Sequence, residues 1–264
     1  MVGVGMSTVE LTFDGAMAEV VMQRPEVLNS LDELAVADLS AALTAAVDGG
    51  ARGLLLRGEG RGFSAGRDLS TASPLTEDAY AILSGVFNPL IAQLRSLPIP
   101  TVAAVHGACL GVGFGLAMAC DVVLAARKST LGSPFANIGC VLDSGGHLAL
   151  VQRIGSHRAL ELIYTAELIN GERAEQIGLV NRVVDDDALI DTARDMVRSI
   201  AHGPTQALLE SKRIIANIID HGDGLTEVLE AEAAAQGRMA GTPDYVEGIT
   251  AFLEKRKPTF HGPA

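Results

Sequence analysis

Short apolar and β-branched runs recur along the first two thirds of the chain: ELTFDG, AEVVMQ, GLLLRG, TVAAVHG, DVVLAAR and GLVNRVV. Each ends in turn-forming or charged residues and predicts a strand. Between them, apolar positions return at helical spacing over Leu31–Asp48, Tyr80–Leu94, Gly111–Cys120, Gly145–Val151, His157–Thr165 and Ala174–Ile177. Strands alternating with helices predict an α/β architecture. After Asp187 the strand signal ends. Leu189–Ala201, Thr205–Asp220, Leu225–Met239 and Tyr245–Lys255 predict helices, punctuated by Pro204, the Gly222–Gly224 turn and Pro243. The pattern divides the chain into an α/β core over residues 1–200 and a helical C-terminal region over 201–264. That region carries an apolar stripe (Leu208, Leu209, Ile214, Ile215, Ile218, Ile219) too large to hide within itself. It predicts packing on the core or on a second subunit.

Composition narrows the function. The 264 residues are 48% hydrophobic and 20% charged, which suits one globular core. A net charge of −12 argues against nucleic acid and anionic membranes as partners. A small anionic ligand stays open, since it needs only local cations. Cys109, Cys120 and Cys140 form an odd set in apolar or Gly-rich surroundings, without CxxC spacing. They predict buried free thiols in a reducing compartment and no metal site. The start, MVGVGMSTVELTF, lacks a basic segment and a long apolar stretch, so no signal peptide is expected. The uncharged run Gly107–Cys120 is too short for a bilayer. Its glycines Gly107, Gly111 and Gly115 predict close backbone packing in a core. Together these features predict a cytoplasmic protein.

Residues 101–150 hold only two carboxylates, Asp121 and Asp143. Asp121, at a helix end, reads as a buried structural carboxylate. Asp143 lies in a Leu-Asp-Ser-Gly-Gly turn, where two roles are open. It could cap a helix beginning at Ser144, or it could move protons, with Asp68 and Glu77 as fallback candidates. Gly62-x-Ser64-x-Gly66, with Asp143 and His147 downstream, matches the order of a serine-hydrolase elbow. That motif needs a strand running straight into the serine and a helix straight out. Here GEGRG intervenes and GRDLSTASP is a poor helix, so hydrolysis through Ser64 is the weaker reading. His106–Gly115 is a Gly-rich strand-to-helix turn, with His106 read as structural. Its GxGxG spacing and the early Asp121 do not fit a dinucleotide fingerprint. It does offer backbone N–H groups backed by a helix dipole, which suits a developing oxyanion.

Five segments in order, RPEVLNSL, RGFSAGRDL, HGACLGVGFG, GSPFANIGCVLDSGGH and AFLEKRKP, together resemble the enoyl-CoA hydratase/isomerase (crotonase) family over residues 7–262. The resemblance implies a spiral of ββα units, a helical trimerisation region, and a homotrimer or a hexamer of two trimers. It implies that the N–H groups of Arg67 and Val112 form an oxyanion hole. Arg24, Glu26 and Val27 would line the CoA adenosine and pantetheine. Backbone groups at Ser64, Ala65, Asp68 and Leu69 would meet the adenine. Phe252 and Lys255 would contact CoA, often across a subunit interface. No cofactor beyond the substrate's own coenzyme A is implied. Hydratases of the family carry two glutamates where this chain has Gly115 and Phe135. The DSGG turn is similar to that of phenylacetate-pathway isomerases, where the Asp acts on the substrate α or γ carbon. An Asp there is also the nucleophile of 4-chlorobenzoyl-CoA dehalogenase, with an aromatic at the Phe135 position.

The expectation is an enoyl-CoA isomerase with Asp143 as acid and base, its pKa raised beside Phe135 and Leu142. A hydratase of fatty-acid β-oxidation and a non-catalytic acyl-CoA-binding protein remain as alternatives. Val112, Phe114, Phe135 and the segment Thr71–Ile82 are expected to shape an acyl pocket whose occupant the sequence does not specify.

Overall fold

The computed structural model describes residues 3–5, 7–70, 72–73 and 76–262. Residues 71, 74 and 75 of the expected pocket segment, and 1, 2 and 6 of the N-terminus, lie outside them. The strands are β1 (Gly3–Gly5), β2 (Val9–Asp14), β3 (Met17–Met22), β4 (Gly53–Gly58), β5 (Thr101–Val105), β6 (Ala108–Leu110), β7 (Val122–Ala126), β8 (Thr130–Gly132), β9 (Ile169–Asn170) and β10 (Arg182–Val184). The helices are α1 (Glu33–Asp48), α2 (Ala79–Ile82), α3 (Asn88–Arg95), α4 (Val112–Ala119), α5 (Gly146–Thr165), α6 (Gly171–Gln176), α7 (Leu189–Ala201), α8 (Thr205–His221), α9 (Leu225–Met239) and α10 (Pro243–Glu254).

A 7-stranded sheet has the order β1-β2-β3-β4-β5-β7-β10, parallel from β3 onward. A 3-stranded sheet, β6-β8-β9, stands beyond it. The parallel strands are covered on both faces, which explains their unbroken apolar runs. Along β4, Leu54 and Leu56 enter one core with α1, α3, α4 and α5, while Leu55 enters a second core under α7. Each is fully buried, contributing about 2 kcal/mol of hydrophobic stabilisation. Leu189, Ala193, Val197 and Ala201 recur every fourth residue on the buried side of α7.

The expected strands and helices form, most with ends within a residue or two; α6 begins three residues before the expected Ala174, and of GLVNRVV only Arg182–Val184 is a strand. Gly155, at φ +76°, breaks α5 where the sequence pattern separates two helices. β1, β6, β8 and β9 go unforeseen, because runs of two or three residues are too short to show a period. A π-helical turn, Leu83–Phe87, joins α2 to α3.

Past β10 the described residues hold only helices. Polar contacts fasten α8 along the N-terminal ends of the parallel strands. Arg52 Nε donates to Thr205 Oγ1 at 2.8 Å, Lys212 Nζ meets Asp121 at 2.9 Å, and Arg95 pairs with Asp220. Ile215, Ile218 and Ile219 are left exposed. Two expectations need correction. Cys140 is exposed, whereas Cys109 and Cys120 are buried. Asp121 is structural but surface-placed, because its partners Thr101 and Lys212 sit at the sheet's rim. Among the described residues, no helix is long and apolar enough to cross a membrane.

Candidate active site

The segments following β3, β4, β5 and β7 gather beyond the C-terminal ends of the parallel strands, where open α/β sheets place ligands. Gly66 adopts φ +90°. A Cβ there would stand 2.6 Å from Leu110 O and 3.3 Å from Val112 N, so only glycine allows this approach. Leu31 N–H donates to Gly66 O at 2.8 Å, and Asp68 N–H donates to Leu31 O at 2.9 Å. This parallel bridge uses the residues on either side of Arg67 and turns Arg67's own N–H away from Leu31. Val112 is the first residue of α4, where an N–H has no partner within the helix. The Val112 N–H thus stands beside the Gly66–Arg67 turn, at the positive end of α4.

Phe135 begins a 3-10 turn, Phe135–Ile138, and its ring lies over Gly111. Val112, Phe114 and Leu142 are buried nearby. One turn into α4, a Cβ on Gly115 would stand 2.5 Å from Ser144 Cβ and 2.6 Å from Ser144 O. The turn carrying Asp143 therefore occupies the space that a side chain at 115 would need. Ser144 and Gly145 make this turn with φ of +53° and +76°. A left-handed serine costs about 1 kcal/mol, so the turn is held under strain by its packing.

Asp143 is half-buried and accepts a 2.8 Å hydrogen bond from Ser144 Oγ. It does not cap a helix: α5 begins at Gly146 behind an N-cap Gly145 that makes no side-chain bond. Burial pushes the Asp143 carboxyl above its ordinary value, while Ser144, Arg67 and His147 offset part of that rise. The Arg67 side chain grips Glu77 with two bonds, at 2.7 and 2.6 Å. Sequence spacing gives no hint of this pair, since two loop residues have no periodic relation.

The remaining expected residues divide by location. Ser64 is fully buried; its Oγ donates to Asn29 O at 2.8 Å and accepts from Gly66 N at 3.2 Å. It is a strut, with no base bonded to it among the described residues, and the hydrolase reading fails. The N–H groups of Ser64, Ala65 and Asp68 are taken by Ala108, Leu28 and Leu31 carbonyls. Adenine contacts there would fall to carbonyl oxygens. Leu69 is exposed beside them. Arg24 is half-buried and paired with Asp32 at 3.0 Å and Asp68 at 3.2 Å, while Glu26 and Val27 lie on the exposed turn Pro25–Val27. Segments 24–31 and 64–68 are thus brought together. Phe252 and Lys255 are exposed at the far end of α10. The other end of α10 is tied through His261 and Gly262 to the side of Arg52, at the opposite edge of the sheet.

A sequence model of enoyl-CoA hydratase/isomerase matches residues 12–263. The chain belongs to the enoyl-CoA hydratase/isomerase family. It is 37% identical to the 1,2-epoxyphenylacetyl-CoA isomerase of Escherichia coli, over 91% of this chain and 93% of that one. It superposes on crystal structures of enoyl-CoA hydratases from Bacillus anthracis (TM-score 0.89, 29% identity, 96% and 99% of the two chains) and Mycobacterium smegmatis (0.88, 29%, 97% and 100%). The crotonase-like α/β fold is thereby shown. The family acts on CoA thioesters, and relatives named as hydratase and as isomerase both match this chain.

Proposed function

We propose that this enzyme shifts a carbon–carbon double bond within an acyl-CoA thioester. The supporting observation is the contact between Gly115 and Ser144. The missing side chain at 115 and the turn that presents Asp143 are two halves of one arrangement. In the proposed mechanism, the thioester oxygen sits between the N–H groups of Arg67 and Val112. They polarise the carbonyl and hold the enolate oxygen. Asp143 takes a proton from the α or γ carbon, and the C–H electron pair enters the dienolate. The same carboxyl then returns the proton at the other carbon. Partial burial, which raises the carboxyl's pKa, favours a group that can carry the proton between those steps. Hydration would require an activated water, and neither Gly115 nor Phe135 can supply a base.

Asp143→Asn should lower isomerisation by about 10²–10⁴-fold while leaving acyl-CoA affinity nearly unchanged. Stopped assays on unsaturated acyl-CoA substrates, with calorimetric titration for affinity, check both. A variant within a few-fold of wild type would remove Asp143 from the chemistry. Crotonyl-CoA hydration by the wild type should fall well below about 10 s⁻¹.

Assembly belongs to the same proposal. Phe252 and Lys255 are exposed, and the family resemblance suggests that they would serve a neighbouring subunit's site. Exposed Ile215, Ile218, Leu225, Leu229, Phe252 and Leu253 supply the apolar surface. We expect a trimer or hexamer, with the division at about residue 200 marking where the oligomerising helices begin. Sedimentation equilibrium giving a 27.4 kDa monomer at micromolar concentration would sink this expectation.

A further inference from the structure

Ser144 and Gly145 also line a cleft of about 70 Å³, shared with α3, the end of α4 and the first turns of α5. None of Arg67, Val112 and Asp143 lines it. Its lining mixes two chemistries. Arg95, Gln152 and Arg153 are polar, while Ile91, Met118 and Leu148 are apolar. No carboxylate is among the described residues of the lining. Arg95 is paired with Asp220. Arg153 is half-buried, and its Nη2 donates to Met118 O at 3.1 Å. That carbonyl lies in the last turn of α4, whose dipole offsets part of the charge. A guanidinium has five N–H donors; this is the one bond that Arg153 makes to the protein among the described residues. The other half-buried arginines are better satisfied. Arg24, Arg57, Arg67, Arg95, Arg194 and Arg198 each hold a carboxylate. Arg52 bonds Thr205 Oγ1 and the carbonyls of Gly203 and Phe260.

We propose that this cleft binds a small organic carboxylate, its oxygens on the Arg153 fork and its hydrocarbon against Ile91, Met118 and Leu148. A part-buried guanidinium with free donors and no acid in the lining calls for an anion, and its planar fork matches a carboxylate. The apolar lining calls for hydrocarbon on the same molecule. The volume has room for about five waters, so the ligand has about four to six non-hydrogen atoms. That is the size of a short-chain fatty acid. Phosphate is of similar size, but it would lose hydration against the apolar residues without compensation.

The test is saturation-transfer NMR of butyrate on the full-length protein, with excess butyryl-CoA present to occupy the thioester site. Butyrate should bind with a dissociation constant of about 1–10 mM. Butyramide, its uncharged counterpart, should bind at least about tenfold more weakly, and so should phosphate in competition. Arg153→Gln should abolish binding. Because that change also removes the bond to Met118 O, Leu148→Glu provides a second variant. Leu148 is 43% exposed, and a glutamate there places a carboxylate of the chain's own in the cleft. Leu148→Glu should weaken butyrate by about tenfold or more. Equal binding of butyramide, displacement by phosphate at equal concentration, loss of the signal with butyryl-CoA, or full binding in Leu148→Glu each overturns the proposal. The readout is binding alone, so a wild type without isomerase activity would defeat the proposed function and leave this site standing.

Discussion

At the N-terminal rim of β5 and β7, Asp121 accepts hydrogen bonds from Thr101 N (2.8 Å), Thr101 Oγ1 (3.0 Å) and Lys212 Nζ (2.9 Å). Beyond the C-terminal ends of the same strands, Asp143 accepts, among the described residues, from Ser144 Oγ alone. The first carboxylate takes three bonds on one oxygen, Oδ2, and joins α8 to the sheet. The second is pressed against apolar surface with fewer partners than its charge requires, and its proton is correspondingly easier to keep. Two aspartates 22 residues apart thus differ in how many hydrogen bonds each accepts, and the proposed function assigns them different work.

The largest test of this contrast leaves both carboxylates intact. Gly115→Ala should push Ser144 outward and displace Asp143, lowering isomerisation by about 10²-fold, the scale of an ångström-level misplacement. Overpacking should also cost about 1–3 kcal/mol of stability. Normal kcat in a correctly folded Gly115→Ala protein would separate the turn's position from catalysis. For the same reason, a glutamate at 115 would displace the Asp143 turn.

Asp121→Asn sharpens the other half. It should lower the melting temperature by about 2–6 °C, from loss of the Lys212 ion pair and weakened bonds to Thr101. Its kcat should stay within a few-fold of wild type. A large loss of activity with unchanged melting would reverse the roles assigned to the two aspartates.

The smallest effect carries the opposite sign. Because the folded Asp143 carboxyl titrates above its ordinary value, the fold binds that proton more tightly than the unfolded chain does. Its contribution is present below the usual carboxylate range and is lost as pH rises through the folded value. Near neutral pH the charged Asp143 is therefore a burden. Asp143→Asn should raise the melting temperature by on the order of 1–2 °C there, with the gain fading under acid. Thermal melts across pH would show a gain that grows with pH; a constant offset would contradict it.

The sequence alone determined six of the seven strands of the main sheet, the helices after Asp187 and the Gly-rich turns. These are local matters. Side-chain periodicity and glycine's access to positive φ act within a few residues, so they leave a readable pattern. The five motifs also placed Arg67, Val112 and Asp143 as candidates before any coordinates. Tertiary structure decided what those residues touch. Ser144 filling the space over Gly115, Leu31 turning the Arg67 N–H, Glu77 clasping Arg67, and the exposure of Cys140 all depend on segments distant in the chain or on how a loop lies against the core. Such contacts are set by packing across the sheet's C-terminal edge, where no residue spacing records which partner a side chain will meet.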